Sequence, residues 1–361
     1  MKKKKIKVKK KSIIIILLLI LIIVSYNPVK SIIQLKNLGY KFSSAIKIYR
    51  DGLKEEVLNN DYSMTLDNII TTDYYDESKI TAYFSIKYLE YDDFNININK
   101  WLKLGYSSTD INYVYKINND ELNKKISEKY IKDITNYLSY DYFKVDKLDR
   151  YLNYFNGDYS DTIIKVNIGL DKEFYKDPVI VKDYSIDVIV NKYNKLDASF
   201  VPKDITELTK CSEKGQYLAL DAKLAFDKMC DASIKDGMNL GVTSSYRSYD
   251  DQNKIYNSYL KSNGQDYVNK YVAFPGYSEH QTGLALDVKS VVASPFKSTK
   301  EYKWMLDNSY KYGFILRYSK DKEDITGYNA EAWHFRYVGI DRAKYIHENG
   351  ITYEEYCAIF M

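Results

Sequence analysis

Only three histidines occur among 361 residues, and two of them lie in dense polar and aromatic settings. The first setting is Ser278-Glu279-His280-Gln281-Thr282-Gly283-Leu284-Ala285-Leu286-Asp287-Val288, and the second is Glu331-Ala332-Trp333-His334-Phe335-Arg336-Tyr337. Imidazole and carboxylate groups hold divalent metals. Two His and one Asp make a three-ligand set with an open fourth position, the pattern of a catalytic rather than a structural zinc. A neighbouring Glu that is not a ligand can then act as general base toward water. The third histidine, His347, follows Tyr345-Ile346 on an expected helix and is given no ligand role.

Such a set needs elements that bring it together. From Gly283 the residues alternate. Gly283, Ala285 and Asp287 face one way, and Leu284, Leu286 and Val288 face the other, toward a core. An acid in a half-buried strand is costly unless it is paired or bound to a cation, and its small neighbours leave room for an ion. His280 would lie in the loop that leads into this strand. In the second segment Trp333, Phe335 and Tyr337 share one face, and His334 and Arg336 share the other. Glu331 has the wrong parity to join His334 in an unbroken strand, so it is expected in a turn just before it.

Around these segments, Ile163–Ile168, Val179–Val181 and Ile186–Val190 are short and β-branched and read as strands. Asp221–Lys235 reads as an amphipathic helix with Ala222, Ala225, Phe226, Met229 and Ala232 on its apolar face. Asp221 is its expected cap, and Gly237 ends it. Alternating short strands and helices follow. Three cysteines are too few for a disulfide framework. Cys230, on or beside the buried face of that helix, reads as a buried free thiol. The alternative is a bridge to Cys211.

The ordered motifs Ser-x-His-x-x-Gly-x-Ala-x-Asp and Glu-x-Trp-His resemble those of the VanY-type zinc D-alanyl-D-alanine carboxypeptidases. Ser245-Tyr246-Arg247-Ser248 with Gln252, the lead-in Val190–Leu196 and the stretch Gly313–Tyr318 are similar to theirs as well. The resemblance covers about residues 160–361. It implies one Zn2+ ion held by His280, Asp287 and His334. Glu331 would be the catalytic base and then the acid that protonates the leaving amine. Arg247 would grip the substrate's terminal carboxylate or the developing oxyanion, with Ser278 and Gln252 as lesser substrate contacts. The implied reaction removes the terminal D-Ala from D-Ala-D-Ala in the peptide stem of peptidoglycan. A dipeptidase or endopeptidase of the same fold is the alternative within the enzyme class. A wall-binding protein with an inert peptidase domain is the alternative outside it. One departure is Ala332, where the family commonly has Pro.

The fold class that follows is α+β. A small catalytic domain at 158–361 carries a largely antiparallel sheet flanked by helices, after a mainly helical region at 27–157 and an N-terminal membrane segment. In the helical region Leu38-Gly39-Tyr40 recurs 66 residues later as Leu104-Gly105-Tyr106, with helix-like stretches after each, Ser43–Val57 and Ser108–Ile126. Ser107–Asp110 looks like a helix start. Tyr74-Tyr75 answers Tyr142-Phe143, and Tyr83 answers Tyr151, at an offset of 68. Two copies of a small helical unit account for this. Their role is that of a stalk, or of a wall-binding or spacing module.

The formal net charge is +4, yet eight lysines lie within residues 1–11, so the rest of the chain carries 4 − 8 = −4. A mildly acidic body excludes a nucleic-acid binder with a basic folded domain. Twelve uninterrupted Ile, Leu and Val residues, Ile13–Val24, follow the basic tail. A basic tail before an apolar run directs export. Residues 12–26 are a signal peptide or a membrane anchor, since no small-x-small cleavage site follows. Either way the remaining chain is expected outside the cytoplasmic membrane, tethered to it or secreted.

Overall fold

The computed structural model describes residues 27–87, 94–182 and 185–361. The basic tail and the apolar segment 12–26 lie outside the described residues. Among the described residues no helix is long and apolar enough to cross a membrane. The chain divides into two compact units at Asp146/Lys147.

The first unit is helical. Residues 27–38 are helical, followed by α1 (Phe42–Arg50), α2 (Lys54–Leu58), α3 (Met64–Ile69), α4 (Ile80–Ser85), α5 (Phe94–Leu104), α6 (Ser108–Ile117), α7 (Asp120–Glu128) and α8 (Ile134–Leu138). The stretch from Ser43 to Val57 is two helices because the chain turns at Gly52, with φ +76°. Ser108–Ile126 breaks in the same way at Asn118, φ 47°. The helix start before Ile111 is a capping box between Ser107 and Asp110. Repeated residues make repeated bonds. Tyr40 Oη accepts the Ser63 N–H at 3.2 Å, and Tyr106 Oη accepts that of Ile131 at 2.8 Å.

The second unit opens with α9 (Leu148–Tyr154) and α10 (Tyr159–Ile168). The expected strand Ile163–Ile168 is therefore helical. The Asp158 carboxylate caps the Asp161 N–H at 2.7 Å, Lys165 pairs with Asp161 one turn back, and Gly169 closes the helix at φ +105°. Thr162, Ile163 and Val166 are all fully buried, a spacing of three and four rather than two. Val179–Ile180 does form a strand, β1, parallel to β2 (Asn194–Lys195). Ile186–Val190 does not. Its Ile186 and Val188 carbonyls instead accept from the Arg336 guanidinium.

Next come the antiparallel pair β3 (Ile205–Glu207) and β4 (Tyr217–Ala219), then α11 (Leu220–Lys235), β5 (Leu240–Ser244), α12 (Tyr249–Asn263) and α13 (Gln265–Tyr271). β6 (Ala285–Ser290), α14 (Lys300–Asn308), β7 (Phe314–Tyr318), α15 (Glu323–Thr326), β8 (Glu331–Tyr337), α16 (Ile340–Asn349) and α17 (Tyr353–Phe360) complete the unit. The central sheet is antiparallel, in the order β5-β6-β8-β7. Leu284, Leu286 and Val288 enter one core with Phe335, Phe314 and the α11 residues Ala222, Phe226 and Met229. The opposite face of β6 and β8 is left for polar groups.

Two details of this core differ from expectation. Asp221 does not cap α11. The N-cap is Ala219, the Leu220 N–H reaches Asp204, and Asp221 sits in the first turn where the helix dipole favours it. Cys230 is not a free thiol but is bonded to Cys211. The Cys211 loop runs along β5, since the Cys211 carbonyl accepts the Val242 N–H at 2.7 Å. That brings the two Cα atoms to 6.1 Å, within bridging range. Cys357 is the buried free thiol among the described residues.

Candidate active site

Strand register does most of the assembly. Asp287 on β6 pairs directly with His334 on β8, and Ser244 at the end of β5 reaches Asp287 through an irregularity in that pairing. His280 lies in a buried 3-10 turn, Glu279–Thr282, closed by Gly283 at φ +69°. Its Nδ1 is 2.7 Å from the Ser245 carbonyl. A carbonyl only accepts, so Nδ1 carries the proton and the Nε2 lone pair is free. That Nε2 is 3.4 Å from Asp287 Oδ1.

His334 is oriented the other way round. Its Nε2 is 3.3 Å from Glu279 Oε2, and its Nδ1 is 3.1 Å from the same Asp287 Oδ1. Glu279 is fully buried and held well below the usual carboxylate range. Burial opposes this, but Arg317 and Arg336, at 2.9 and 3.0 Å from Oε1, prevail. An ionised Glu279 accepts the Nε2 proton and leaves Nδ1 as a donor atom for a metal. Arg317 is held in turn by Glu354 at 2.7 Å, and Arg336 donates to the Val188 carbonyl at 2.6 Å.

Three donor atoms, His280 Nε2, Asp287 Oδ1 and His334 Nδ1, thus converge within 4.8 Å of one another. Tetrahedral zinc with bonds of about 2.0 Å has edges of roughly 3.3 Å, the scale of the 3.1 and 3.4 Å separations. The chemistry of the set fits as well. A neutral His334 would point its Nδ1 lone pair at a carboxylate, which is repulsive unless a cation lies between. Without a metal a proton fills that role. Burial works against charge on His334, but Asp287 and Glu279 raise its pKa to about 9.

Glu331 Oε2 lies 3.8 Å from His334 Nδ1, on the margin of the set. It is not in a turn before the strand, as its parity required, but is the first residue of β8. Leu316 pairs with Phe335 and Tyr318 with Glu331, so β8 advances four residues while β7 advances two. The two extra residues form a bulge that re-aims the strand and removes the parity conflict. Ala332 and Trp333 lie in it, and Trp333 is 43% exposed rather than packed with Phe335. Burial, together with the charges of Asp287 and Glu279, raises Glu331 to about 7 against the opposing pull of His334 and Arg247.

Across a cavity of about 380 Å³, Arg247 is held by two bonds of 2.7 Å, to Gln252 Oε1 and Ser244 Oγ. Gln252 also donates to the Ala273 carbonyl at 2.7 Å, so both polar ends of its side chain are engaged in fixing Arg247. Ser278 lines the cavity, and Tyr318, Tyr328 and Trp333 form an aromatic wall. Sequence reasoning assigned no role to Glu279, Arg317, Arg336 or this wall.

The fold and site define a class: a hydrolase-type mononuclear metal site on an antiparallel sheet, with a carboxylate at its margin and an arginine opposite. The profile of the VanY family, D-alanyl-D-alanine carboxypeptidase, matches residues 215–340. The bifunctional D-Ala-D-Ala dipeptidase and D-Ala-D-Ala carboxypeptidase VanXYC of Enterococcus gallinarum is 32% identical over 175 residues, which is 46% of this chain and 91% of that protein. The chain belongs to the VanY D-alanyl-D-alanine carboxypeptidase family. The putative carboxypeptidase YodJ of Bacillus subtilis (strain 168) is 44% identical over 179 residues, 46% of this chain. That match spans 65% of YodJ, somewhat under two thirds of its length. Among solved structures, a mutant of the vancomycin resistance D,D-pentapeptidase VanY from the VanB-type resistance cassette, in complex with Zn(II), is 34% identical. It covers 48% of this chain and 99% of its own, with TM-score 0.42.

Proposed function

We propose that residues 158–361 form a zinc D,D-carboxypeptidase domain that removes the terminal D-Ala from D-Ala-D-Ala stem peptides of peptidoglycan. The observation that carries this reading is the convergence of His280 Nε2, Asp287 Oδ1 and His334 Nδ1, with Glu331 beside them and Arg247 across the cavity. Bound by these three side chains, zinc supplies Lewis acidity toward a peptide carbonyl and a water molecule.

The chain's own groups supply the rest. Glu331, with a pKa near neutrality, takes a proton from the attacking water and delivers it to the amine nitrogen as the C–N bond breaks. Arg247 offers a guanidinium fork, fixed by Ser244 and Gln252, to the terminal carboxylate. Ser278 adds a hydroxyl to the lining of the same cavity. The aromatic wall limits water around the reacting groups.

The domain acts outside the cell. A disulfide between Cys211 and Cys230 favours an oxidising compartment. Residues 12–26, as anchor or signal, deliver it there, and 27–157 serve as a stalk or as a wall-binding or spacing module. The test is a pair of soluble stem pentapeptides, one with a free C-terminal carboxylate and one amidated. The acid should release D-Ala, the amide should not, and Arg247→Ala should erase the difference. Equal cleavage of both by the unaltered chain would contradict a carboxypeptidase and favour an endopeptidase.

A further inference from the structure

Two residues of Val190–Leu196, a segment that supplies nothing to the metal set, support the aromatic wall of the catalytic cavity. Tyr318 and Tyr328 both line that cavity. Their ring centroids are 5.1 Å apart, and the Tyr318 ring lies 5.1 Å from that of His334. Each tyrosine has a buried cation near its ring. The Arg317 guanidinium carbon is 4.9 Å from the Tyr318 centroid, and Lys192 Nζ is 4.5 Å from that of Tyr328. Asn191 serves the first pair, since its Nδ2 donates at 3.3 Å to Glu354, the carboxylate that holds Arg317. Lys192 serves the second directly. It is 3% exposed, and its Nζ donates to the Asn269 carbonyl of α13 at 2.7 Å. The same Nζ is 4.6 Å from the Phe174 centroid and 5.9 Å from that of Tyr175. Gly327 makes the close packing possible. A Cβ there would stand 2.9 Å from Phe174 Cζ and 3.3 Å from Lys192 Cδ, at a φ of +75° that suits glycine.

The two cations differ in permanence. Burial works against charge on Arg317, but Glu279 and Glu354 keep its pKa well above the ordinary value. Lys192 has no such partner. Burial lowers its pKa to about 8, and no carboxylate on the loop at 174–175, on α13 or on the turn at 327–328 offsets this. The titratable groups that face it are Tyr175, raised to about 12 by burial, and Tyr328, which burial raises further. Lys270 lines an open cavity of about 410 Å³ together with it. A desolvated cation on an aromatic face is attracted by the ring quadrupole, and a neutral amine forfeits that attraction. Lys192 is charged below its pKa, so its hold on the Tyr328 ring weakens as pH rises through that value.

We propose that Lys192 is a positioning residue for the catalytic cavity: its ammonium, tethered to Asn269, holds Tyr328, and through it Tyr318, against His334, and releases the pair on deprotonation. Its effect on rate rests on the hydrolysis proposed above. The movement of the rings does not, and it is read without catalysis.

The test is a pH titration of the zinc-loaded full-length chain, 13C-labelled at lysine Cε and in the tyrosine rings. The Lys192 signal is assigned by its loss in Lys192→Arg, and those of Tyr328 and Tyr318 by their loss in the Phe variants. Lys192 should titrate near pH 8, and both ring signals should move with the same midpoint. In Lys192→Met, which keeps an unbranched chain without the charge, ring movement at that midpoint should vanish. D-Ala release by this variant should fall about 2–30-fold in kcat at neutral pH, the scale of one desolvated cation–ring contact, with KM and zinc content unchanged. Its rate should also lose the alkaline limb that the unaltered chain shows, whereas Tyr328→Phe, which keeps a ring for the cation, should keep that limb. Rings that stay in place while Lys192 titrates would overturn the inference. So would an alkaline limb of the same midpoint in Lys192→Met. Rings that follow Lys192 in a chain that releases no D-Ala would support the contact and count against the proposed hydrolysis alone.

Discussion

At the scale of residues, the site works through contrasting carboxylates. Asp287 is half-buried between two imidazoles and held far below its usual range. Burial opposes this, but His280 and His334 prevail. Glu331 is raised toward neutrality by burial. One is a permanent anion suited to a cation, and the other can exchange a proton. Glu331→Ala should keep zinc content at the unaltered level while D-Ala release falls by about 10²–10⁴-fold. The sign of the pH effect follows. The base form is needed, so activity falls as pH drops through the Glu331 pKa. A bound dication pulls that pKa below the metal-free value of about 7, so the acid limb should lie below neutrality and vanish in Glu331→Gln. An acid limb that persisted in Glu331→Gln would assign the proton to another group. Glu279→Gln should weaken zinc binding about 10–100-fold, as judged by competition with a chromogenic chelator. An unchanged affinity would mean that His334 needs no anionic partner.

At the scale of elements, the alternation in β6 was legible because one face is purely apolar and the other small, with Asp287 in the middle. The place of Glu331 was not, because a two-residue bulge is a property of the pairing between β7 and β8 and leaves no mark on β8 alone. Glu279 was invisible for a related reason. Its partners lie 38 and 57 residues downstream, and only their joint burial gives it a role. The helix at Tyr159–Ile168 was hidden by β-branched residues. The signal that could have found it was Asn167, 68 residues beyond Asn99, together with the Asp158 cap and Gly169. The Cys211–Cys230 bond closes a separation of 19 residues. By loop entropy it should contribute about 3 kcal/mol. Cys211→Ser with Cys230→Ser should lower the denaturant midpoint accordingly, and an unchanged midpoint would show that packing of α11 on the sheet alone holds that corner.

At the scale of the whole molecule, a lysine-rich start, an apolar run, a helical unit and a metal-site unit follow one another along the chain. The polar face of the sheet collects groups from five segments, near residues 245, 280, 287, 318 and 331–334, and each is fixed by backbone pairing or a buried ion pair. The proposed activity depends on one cation shared by His280, Asp287 and His334. Its most direct test is the zinc stoichiometry of the purified full-length chain after dialysis, with His334→Ala alongside. One tightly held zinc per chain is predicted, lost in the variant together with D-Ala release. A chain that releases D-Ala from the pentapeptide while holding no metal in the presence of chelator, or a His334→Ala variant that keeps its full zinc complement, would contradict it.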